Sequence, residues 1–370
     1  MVKGFATQEG TAVYRDRFPG KRDAGHFRLS QGLFFSSLGI GSYLGGLDDD
    51  SDALYEESLR CAVLSGGNVI DSAVNYRAQR SERAFGRAIR SLINEGTVNR
   101  EELIVCTKGG FLPFDSDYPK DAEIYFQETY LKQGLLKAEE IAQGCHAMTP
   151  AFLEDQLAKS LQNLGLETLD IYYLHNPETQ LADVEPSVFR QRLKAAFAWM
   201  EEKVKEGKIR MYGTATWNGY RLRQDQPDYL SLEDLHLLAR EAGGTGHHFK
   251  AVQLPVNLAM PEAWIFANQR FGAGTVPFLQ LASRLGLSVM ASASLLQGKL
   301  AGSLPDFMGR YAKGLTCSSQ KALQFTRSVP GVTTALAGMK QKEHVEENLK
   351  TAEVPPLTEE ELILMFQRNA

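Results

Sequence analysis

The chain alternates between short apolar segments and longer amphipathic segments along almost its whole length. Eight apolar, β-branched segments predict strands at residues 34–43, 67–73, 102–108, 169–175, 209–217, 250–257, 287–294 and 332–339. Helical periodicity fills the intervals at 51–66, 81–93, 149–165, 194–208, 231–244 and 276–286. Strands that alternate with helices predict parallel strands joined by right-handed crossovers.

Two α/β architectures accommodate this alternation, a closed barrel and a doubly wound open sheet. The open sheet usually carries a GxGxxG turn after its first strand. Here the corresponding segment reads GIGSYLGG, at 39–46, and lacks that spacing. Eight βα units over this length favour a (β/α)8 TIM barrel, and we predict one such domain spanning residues 1–370.

Two segments fall outside the repeat. Residues 11–34 are predicted to form an N-terminal β-hairpin that covers the N-terminal end of the barrel. Residues 109–148 form a long insertion after the third strand, rich in aromatic residues. A loop of this length in a compact domain is usually functional, and it leaves the C-terminal face, where barrel enzymes hold their active sites.

Charge, cysteine usage and hydropathy exclude several classes of function. The net charge of −5 arises from mixed signs, and no basic stripe indicates a nucleic-acid partner. No apolar N-terminal segment predicts a signal peptide, and no apolar run reaches the ~18 residues of a membrane span. Widely spaced cysteines without a CxxC pair predict neither zinc nor disulfides, and no histidine–carboxylate cluster predicts a metal. We therefore expect a cytoplasmic protein without a metal; its oligomeric state is not readable from the sequence. The cysteines are Cys61, Cys106, Cys145 and Cys317.

Four polar residues lie at or just beyond the ends of three successive predicted strands. Asp71 and Tyr76 follow the second strand, Lys108 ends the third and His175 ends the fourth. Each residue alone would more often be a helix cap, a packed aromatic, a solvated charge or a structural histidine. Because parallel strands end on one face, the set is expected to converge, and convergence favours a catalytic role.

The four residue types suit proton transfer to or from an alcohol oxygen. A tyrosine has a reference pKa near ~10, and a nearby ammonium lowers it. We therefore expect Lys108 to lower the pKa of Tyr76, so that the phenol can protonate an alkoxide or accept its proton. A carboxylate holds the lysine, and a histidine orients the carbonyl oxygen.

Three motifs resemble the catalytic signatures of the aldo-keto reductase superfamily. They are IDSAVNY (70–76), VCTKGG (105–110) and IYYLHNP (171–177), in the same order and at similar spacing. The resemblance continues through LGIGSYLGG (38–46), VKEGKIRMYGTATW (204–217) and EHVEENL (343–349). It implies an oxidoreductase that uses NADPH, or less often NADH, with Asp71, Tyr76, Lys108 and His175 as its catalytic tetrad and Tyr76 as the proton donor.

The resemblance also implies where the cofactor binds. Gln253 and Asn176 match residues near the nicotinamide carboxamide, the stretch 295–300 matches the pyrophosphate turn, and 338–348 matches the adenosine site. The implied cofactor-binding residues are Asn176, Ala215, Thr216, Gln253, Ser292, Leu295, Gln297, Lys299, Gly338, Lys340, His344, Glu347 and Asn348.

The sequence departs from the family pattern beside the cofactor. Ala215 and Thr216 replace a common Ser-Asn pair, and Ser292 replaces a tyrosine that stacks on the nicotinamide. His344 stands where an arginine often holds the 2′-phosphate, although Lys340 and Lys342 can supply positive charge. We expect NADPH, with NADH as the alternative.

Aromatic residues near the strand ends predict a pocket for a small-molecule carbonyl or alcohol substrate, and a broad aromatic pocket favours a sizeable apolar or ring-bearing one. The candidate pocket residues are Tyr43, Phe111, Trp217 and Trp264. Two other functions remain compatible with the sequence. One is a non-catalytic, cofactor-sensing regulatory or binding protein, and the other is isomerisation or epimerisation on the same barrel.

Overall fold

The computed structural model describes residues 1–304 and 312–367, in which eight parallel strands close into a barrel. The strands are β1 (Phe27–Ser30), β2 (Leu33–Ser36), β3 (Leu38–Gly41), β4 (Val69–Asp71), β5 (Ile104–Gly109), β6 (Leu169–His175), β7 (Ile209–Ala215), β8 (Phe249–Pro255), β9 (Gln269–Phe271), β10 (Gly274–Val276), β11 (Ser288–Ser292) and β12 (Thr334–Gly338). The barrel runs β3-β4-β5-β6-β7-β8-β11-β12, and β12 pairs again with β3. The predicted TIM barrel is confirmed, with all eight predicted strands in place.

Helices surround the barrel and follow the strands along the chain. They are α1 (Gln8–Asp16), α2 (Pro19–Asp23), α3 (Asp49–Leu64), α4 (Arg80–Asn94), α5 (Ala122–Phe126), α6 (Pro150–Leu164), α7 (Pro186–Lys205), α8 (Leu232–Gly243), α9 (Glu262–Ile265), α10 (Phe278–Arg284), α11 (Lys299–Gly302), α12 (Ser318–Ser328), α13 (Lys342–Leu349) and α14 (Glu359–Gln367). Local sequence sets several ends. Thr149 caps α6 through its hydroxyl, Pro150 fills the first turn, and Gly165 ends the helix at a φ of 69°. Within the described ranges, no helix is long and apolar enough to cross a membrane.

The N-terminal hairpin is present, but the predicted limits of 11–34 are wrong. β1 and β2 pair antiparallel from Phe27 to Ser36, whereas most of residues 8–23 is helical. The Thr7 hydroxyl accepts a hydrogen bond from the Gly10 amide and starts α1, and Pro19 suits the first turn of α2. These local signals favour helices over the predicted strand.

The hairpin closes the N-terminal end of the barrel. Leu33 and Phe35 of β2 are buried in one cluster with residues that line the barrel interior. Higher in the barrel, β7 and β8 approach so closely that a Cβ on Gly213 would lie 1.7 Å from the Ala251 carbonyl oxygen. Only glycine permits that approach. The interior is therefore a packed core, and open space is left to the C-terminal face.

The insertion at 109–148 has a small hydrophobic core of its own. This core contains Leu112, Tyr130, Leu136, Ala147 and Phe152. Phe114 stacks on Phe126 with ring centroids 5.0 Å apart, and the Tyr130 hydroxyl donates to the Pro113 carbonyl at 2.7 Å. Several aromatic residues of the insertion thus pack against one another. Phe111 differs, because its ring contacts His175 at a strand end.

Candidate active site

A buried ion pair joins the ends of β4 and β5 at the C-terminal face. Lys108 is fully buried, and its Nζ donates to Asp71 Oδ2 at 2.7 Å and to the Ser72 carbonyl at 2.6 Å. A buried ammonium is costly unless a carboxylate and further acceptors surround it. The charge of Asp71 therefore holds Lys108 in one place and in its charged form.

Tyr76 lies directly beside this ion pair. Lys108 Nζ is 4.8 Å from the centroid of the Tyr76 ring. The rings of Tyr43 and His175 approach Tyr76 edge-on, at centroid distances of 5.0 and 5.8 Å. The structure thus brings Asp71, Tyr76, Lys108 and His175 together, as the strand-end positions predict.

The pKa of Tyr76 is raised above its ordinary value overall, although the Lys108 charge lowers it as expected. Burial of the phenol raises the pKa, and this outweighs the lowering by the Lys108 charge. The pKa of Lys108 is also raised: burial lowers it, but the charges of Asp71 and Tyr76 more than compensate. At neutral pH the site therefore holds a protonated phenol beside an ammonium group.

His175 is a neutral imidazole at the end of β6. Burial, followed by the charge of Lys108, holds its pKa well below the ordinary histidine value. Its ring contacts Phe111 edge-on at 5.0 Å, and its buried Nδ1 has no hydrogen-bond partner in the described part of the chain. A neutral imidazole has one N–H to donate to a carbonyl oxygen.

Gln253 extends the ion pair towards the neighbouring strands. Its Nε2 donates to Asp71 Oδ1 at 2.9 Å, so each oxygen of Asp71 has its own donor. In the barrel register Ala215 lies between His175 and Gln253, and the Thr216 amide donates to the Gln253 carbonyl at 2.8 Å. The buried Thr216 hydroxyl has no partner among the described residues. The Thr216 hydroxyl is thus able to hydrogen-bond a ligand at this face of the barrel.

Glu178 supports the same region, and the sequence analysis missed it. Its Oε1 accepts the amides of Trp217 at 2.8 Å, Asn218 at 3.2 Å and Gly219 at 3.4 Å. Burial raises the pKa of Glu178 to about 7. Its place three residues after His175, at a strand end, was the available signal.

The turn after β11 adopts left-handed backbone conformations at four residues. These are Ala293, Leu296, Gln297 and Gly298. The amides of Leu296 and Gly298 donate to carbonyls within the turn, and the Lys299 side chain is exposed. Ser292 ends β11 beside Pro255, and Leu295 packs partly against the core. The turn is therefore tightly built before any ligand binds.

The residues matched to the adenosine site differ in accessibility. Gly338, His344 and Glu347 are exposed and Lys340 is half-buried, around the end of β12 and along α13. Asn348 is buried instead. Its Nδ2 donates to the Met339 sulfur at 3.4 Å, and its Oδ1 has no partner in the described ranges.

The predicted pocket residues follow different strands on one face. Tyr43 and Trp217 are 55% and 40% exposed, after β3 and β7. Phe111 and Trp264 are half-buried, after β5 and β8. The structure joins Tyr43 and Phe111 directly to the tetrad, through Tyr76 and His175. Asn176 follows His175 with a φ of 44°, and its amide donates to the Ala215 carbonyl at 2.6 Å.

The sequence model of one protein family matches the part of the chain that carries this arrangement. The model described as "Aldo/keto reductase family" matches residues 37–232, which include β3 to β7 and all four strand-end residues. The chain belongs to the aldo/keto reductase family.

Known members of the aldo/keto reductase family resemble the chain at low identity. Prostaglandin F synthase 1 of Bos taurus is 29% identical over 150 residues, which are 40% of this chain and 34% of the bovine protein. The chain thus matches about a third of the length of such curated relatives. A putative voltage-gated potassium channel subunit beta of Schizosaccharomyces pombe is 25% identical, over 87% of this chain and 86% of that protein.

A solved member of the aldo/keto reductase family has the same fold. The crystal structure of an aldo-keto reductase from Klebsiella pneumoniae, in complex with NADPH, superimposes with a TM-score of 0.60 at 22% identity. The superposition covers 91% of this chain and 92% of the Klebsiella chain.

Proposed function

We propose that the protein is an NADPH-dependent oxidoreductase that reduces an aldehyde, ketone or sugar-like carbonyl to an alcohol, or catalyses the reverse reaction. The observation that carries the proposal is the protonated Tyr76 beside the buried Lys108–Asp71 pair, with the neutral ring of His175 5.8 Å away. Membership of the aldo/keto reductase family and the NADPH bound to the Klebsiella relative support the same chemistry.

The residues at the C-terminal face fit a nicotinamide dinucleotide. The unpaired, buried Thr216 hydroxyl and Asn348 Oδ1 are polar atoms that a ligand can satisfy. We assign the nicotinamide end to Asn176, Thr216 and Gln253, with Ala215 and Ser292 beside it. The remaining residues implied by the family pattern, Leu295 to Lys299 and Gly338 to Asn348, would hold the pyrophosphate and the adenosine. The bound nicotinamide supplies the hydride.

The tetrad then handles the proton at the substrate oxygen. During reduction Tyr76 Oη donates its proton to the developing alkoxide, and the resulting phenolate is stabilised by the Lys108 ammonium. Asp71 fixes Lys108 and balances its charge. The His175 imidazole donates a hydrogen bond to the same oxygen, which orients the carbonyl. Because Asp71 and Lys108 are held by buried hydrogen bonds to each other and to Ser72, little reorganisation is required.

The residues that depart from the family pattern at the cofactor site predict weaker binding of the nicotinamide ring. Ala215 has no hydroxyl for the carboxamide, and Ser292 has no aromatic face for stacking. At the other end, Lys340 and Lys342 closely precede His344 in the chain and can supply positive charge to a 2′-phosphate. We therefore propose NADPH rather than NADH as the cofactor.

The test is carbonyl-dependent NADPH oxidation by the purified protein. Wild type is expected to turn over part of a panel of aldehydes, ketones and sugars, and Tyr76→Phe to lose about 100-fold or more of that rate. Tyr14→Phe is the matched control, since Tyr14 is buried at the opposite end of the barrel. A Tyr76→Phe variant with the wild-type rate removes Tyr76 from the mechanism. Tight NADPH binding without turnover on any carbonyl would favour the alternative of a non-catalytic, cofactor-sensing protein. The close grouping of the four tetrad residues argues against that alternative.

A further inference from the structure

The insertion at 109–148 reaches the tetrad through a histidine that the sequence analysis did not single out. His146 is fully buried, and its Nε2 donates to the His175 carbonyl oxygen at 2.7 Å. Its Nδ1 lies 2.9 Å from Gln180 Nε2. One imidazole thus connects the insertion, the end of β6 and the turn that follows β6.

The partners of His146 fix its tautomer, and burial keeps it neutral. Arg192 Nη1 donates to Gln180 Oε1 at 2.5 Å, and a guanidinium has no acceptor. Gln180 must therefore present its amide nitrogen, as a donor, to His146 Nδ1. The ring proton then resides on Nε2, where it is donated to the His175 carbonyl. Burial lowers the pKa of His146 to about 4, which keeps the ring neutral.

The space around this hydrogen bond is filled. A Cβ on Gly110 would lie 2.7 Å from His146 Nε2 and 2.8 Å from the His175 carbonyl oxygen. The Phe111 ring contacts both imidazoles edge-on, at 5.2 Å from His146 and 5.0 Å from His175. A shift of His146 therefore displaces the surroundings of His175 as well.

The peptide that follows His175 is held from two directions. Its carbonyl oxygen accepts from His146, and its amide, that of Asn176, donates to the Ala215 carbonyl at 2.6 Å. Asn176 adopts a φ of 44°, which is unfavourable for most residues with a side chain and needs surrounding contacts to persist. These two hydrogen bonds fix the position of the peptide between His175 and Asn176, and therefore the position of the His175 imidazole.

We propose that His146 is a positioning residue for His175, through which the insertion sets the site for carbonyl reduction. The predicted effect on the reaction rate rests on the proposed function, whereas the contact between His146 and His175 does not. His146 affects the reaction through His175. Its predicted contribution is chiefly to the rate of turnover, because its hydrogen bonds go to the His175 carbonyl and to Gln180, and none goes to the residues proposed to hold the pyrophosphate and the adenosine.

A pair of amide variants separates this role from mere packing. In His146→Gln the side-chain amide nitrogen can occupy the position of Nε2 and still donate to the His175 carbonyl. In His146→Asn the amide is one carbon shorter and cannot reach it. We expect kcat to fall about 10-fold in His146→Asn and to recover to within about 3-fold of wild type in His146→Gln. The dissociation constant for NADPH should change much less than kcat in both variants, because the residues proposed for the pyrophosphate and the adenosine lie after β11 and β12.

A second readout does not depend on activity. The ring nitrogens of His175, assigned in ¹⁵N spectra by comparison with His175→Asn, should shift in His146→Asn and return towards wild type in His146→Gln. Unchanged His175 signals in His146→Asn overturn the proposal. So do equal losses of kcat in both variants accompanied by weaker NADPH binding, because they indicate a general structural role. If wild type reduces no carbonyl but the His175 signals respond as expected, the positioning contact stands and the proposed function fails.

Discussion

The proton on Tyr76 is the residue-scale feature on which the proposed chemistry depends. Oxidation of an alcohol needs the phenolate, so its rate should rise with pH towards the pKa of Tyr76. Lys108 lowers that pKa, although burial raises it more. In Lys108→Met the pKa should rise further, and the alkaline rise in oxidation rate should move to higher pH. The measurement is the pH profile of kcat for alcohol oxidation.

The control for Lys108→Met is a second lysine that lies over a tyrosine ring. Lys159 Nζ is 5.5 Å from the centroid of Tyr130, in the small core of the insertion. Lys159→Met should leave the pH profile unchanged. An unshifted profile in Lys108→Met would mean that Tyr76 is not the titrating group.

Glu178 predicts a pH dependence of stability. Its pKa is raised in the folded protein from 4.5 to about 7, so the folded state binds the proton more tightly than the unfolded state. The resulting stabilisation is complete below about pH 4.5 and is lost as pH rises towards 7. Glu178→Gln keeps an oxygen for the three amides but does not ionise. The melting temperature of wild type, relative to this variant, should therefore fall between pH 5 and pH 8; a constant difference would contradict the assignment.

The convergence of the four tetrad residues could be predicted because each lies at or just beyond the end of an apolar segment, and order along the chain determines neighbours around a barrel. The direction in which the pKa of Tyr76 shifts could not be predicted, since it depends on how deeply packing buries the phenol. His146 was missed for a related reason. Its contact with His175 spans 29 residues and depends on the path of the insertion, which no local pattern specifies.

At the scale of elements, the N-terminal hairpin predicts a sharp difference between adjacent phenylalanines. Phe35 is fully buried in the barrel interior, whereas Phe34 is half-buried and packs under the Arg15 guanidinium. Phe35→Ala should lower the free energy of unfolding by about 3–5 kcal/mol. Phe34→Ala, its matched control, should cost about 1 kcal/mol or less. Urea unfolding monitored by circular dichroism measures both, and equal losses would show that the hairpin does not close the barrel.

Elements differed in how far the sequence determined them. Barrel strands are buried on both faces, so they read as continuous apolar segments and were located correctly. Residues 11–23 fall within the predicted hairpin, yet the Thr7 cap and Pro19 favour helices. The boundary of the hairpin depends on these helix starts and on burial of Phe35, so the resemblance of the segment to a strand could not place it.

At the scale of the whole molecule, bound cofactor should stabilise the barrel. A ligand present at 100 times its dissociation constant adds about 2.7 kcal/mol to the free energy of unfolding. NADPH should raise the melting temperature more than NADH at equal concentration. The double variant Lys340→Met/Lys342→Met should reduce this difference. Equal shifts with both cofactors in wild type would contradict the proposed preference for NADPH.

The closed barrel itself was predictable because eight βα units leave few ways to bury eight strands. The substrate was not predictable, because the walls of the pocket come from loops whose paths depend on tertiary contacts. Phe111 illustrates this. Its sequence context resembles that of its aromatic neighbours in the insertion, yet its ring lies against His175 while Phe114 stacks on Phe126.

The most direct test of hydride transfer at this site follows an isotope from cofactor to product. Wild-type protein and Tyr76→Phe would be incubated with a reducible carbonyl and NADPH carrying deuterium at both hydrogen positions of C4 of the nicotinamide ring. Mass spectrometry of the alcohol should show deuterium on the former carbonyl carbon with wild type, and about 100-fold less product with Tyr76→Phe. An alcohol without deuterium, or equal yields from the two proteins, would contradict the account.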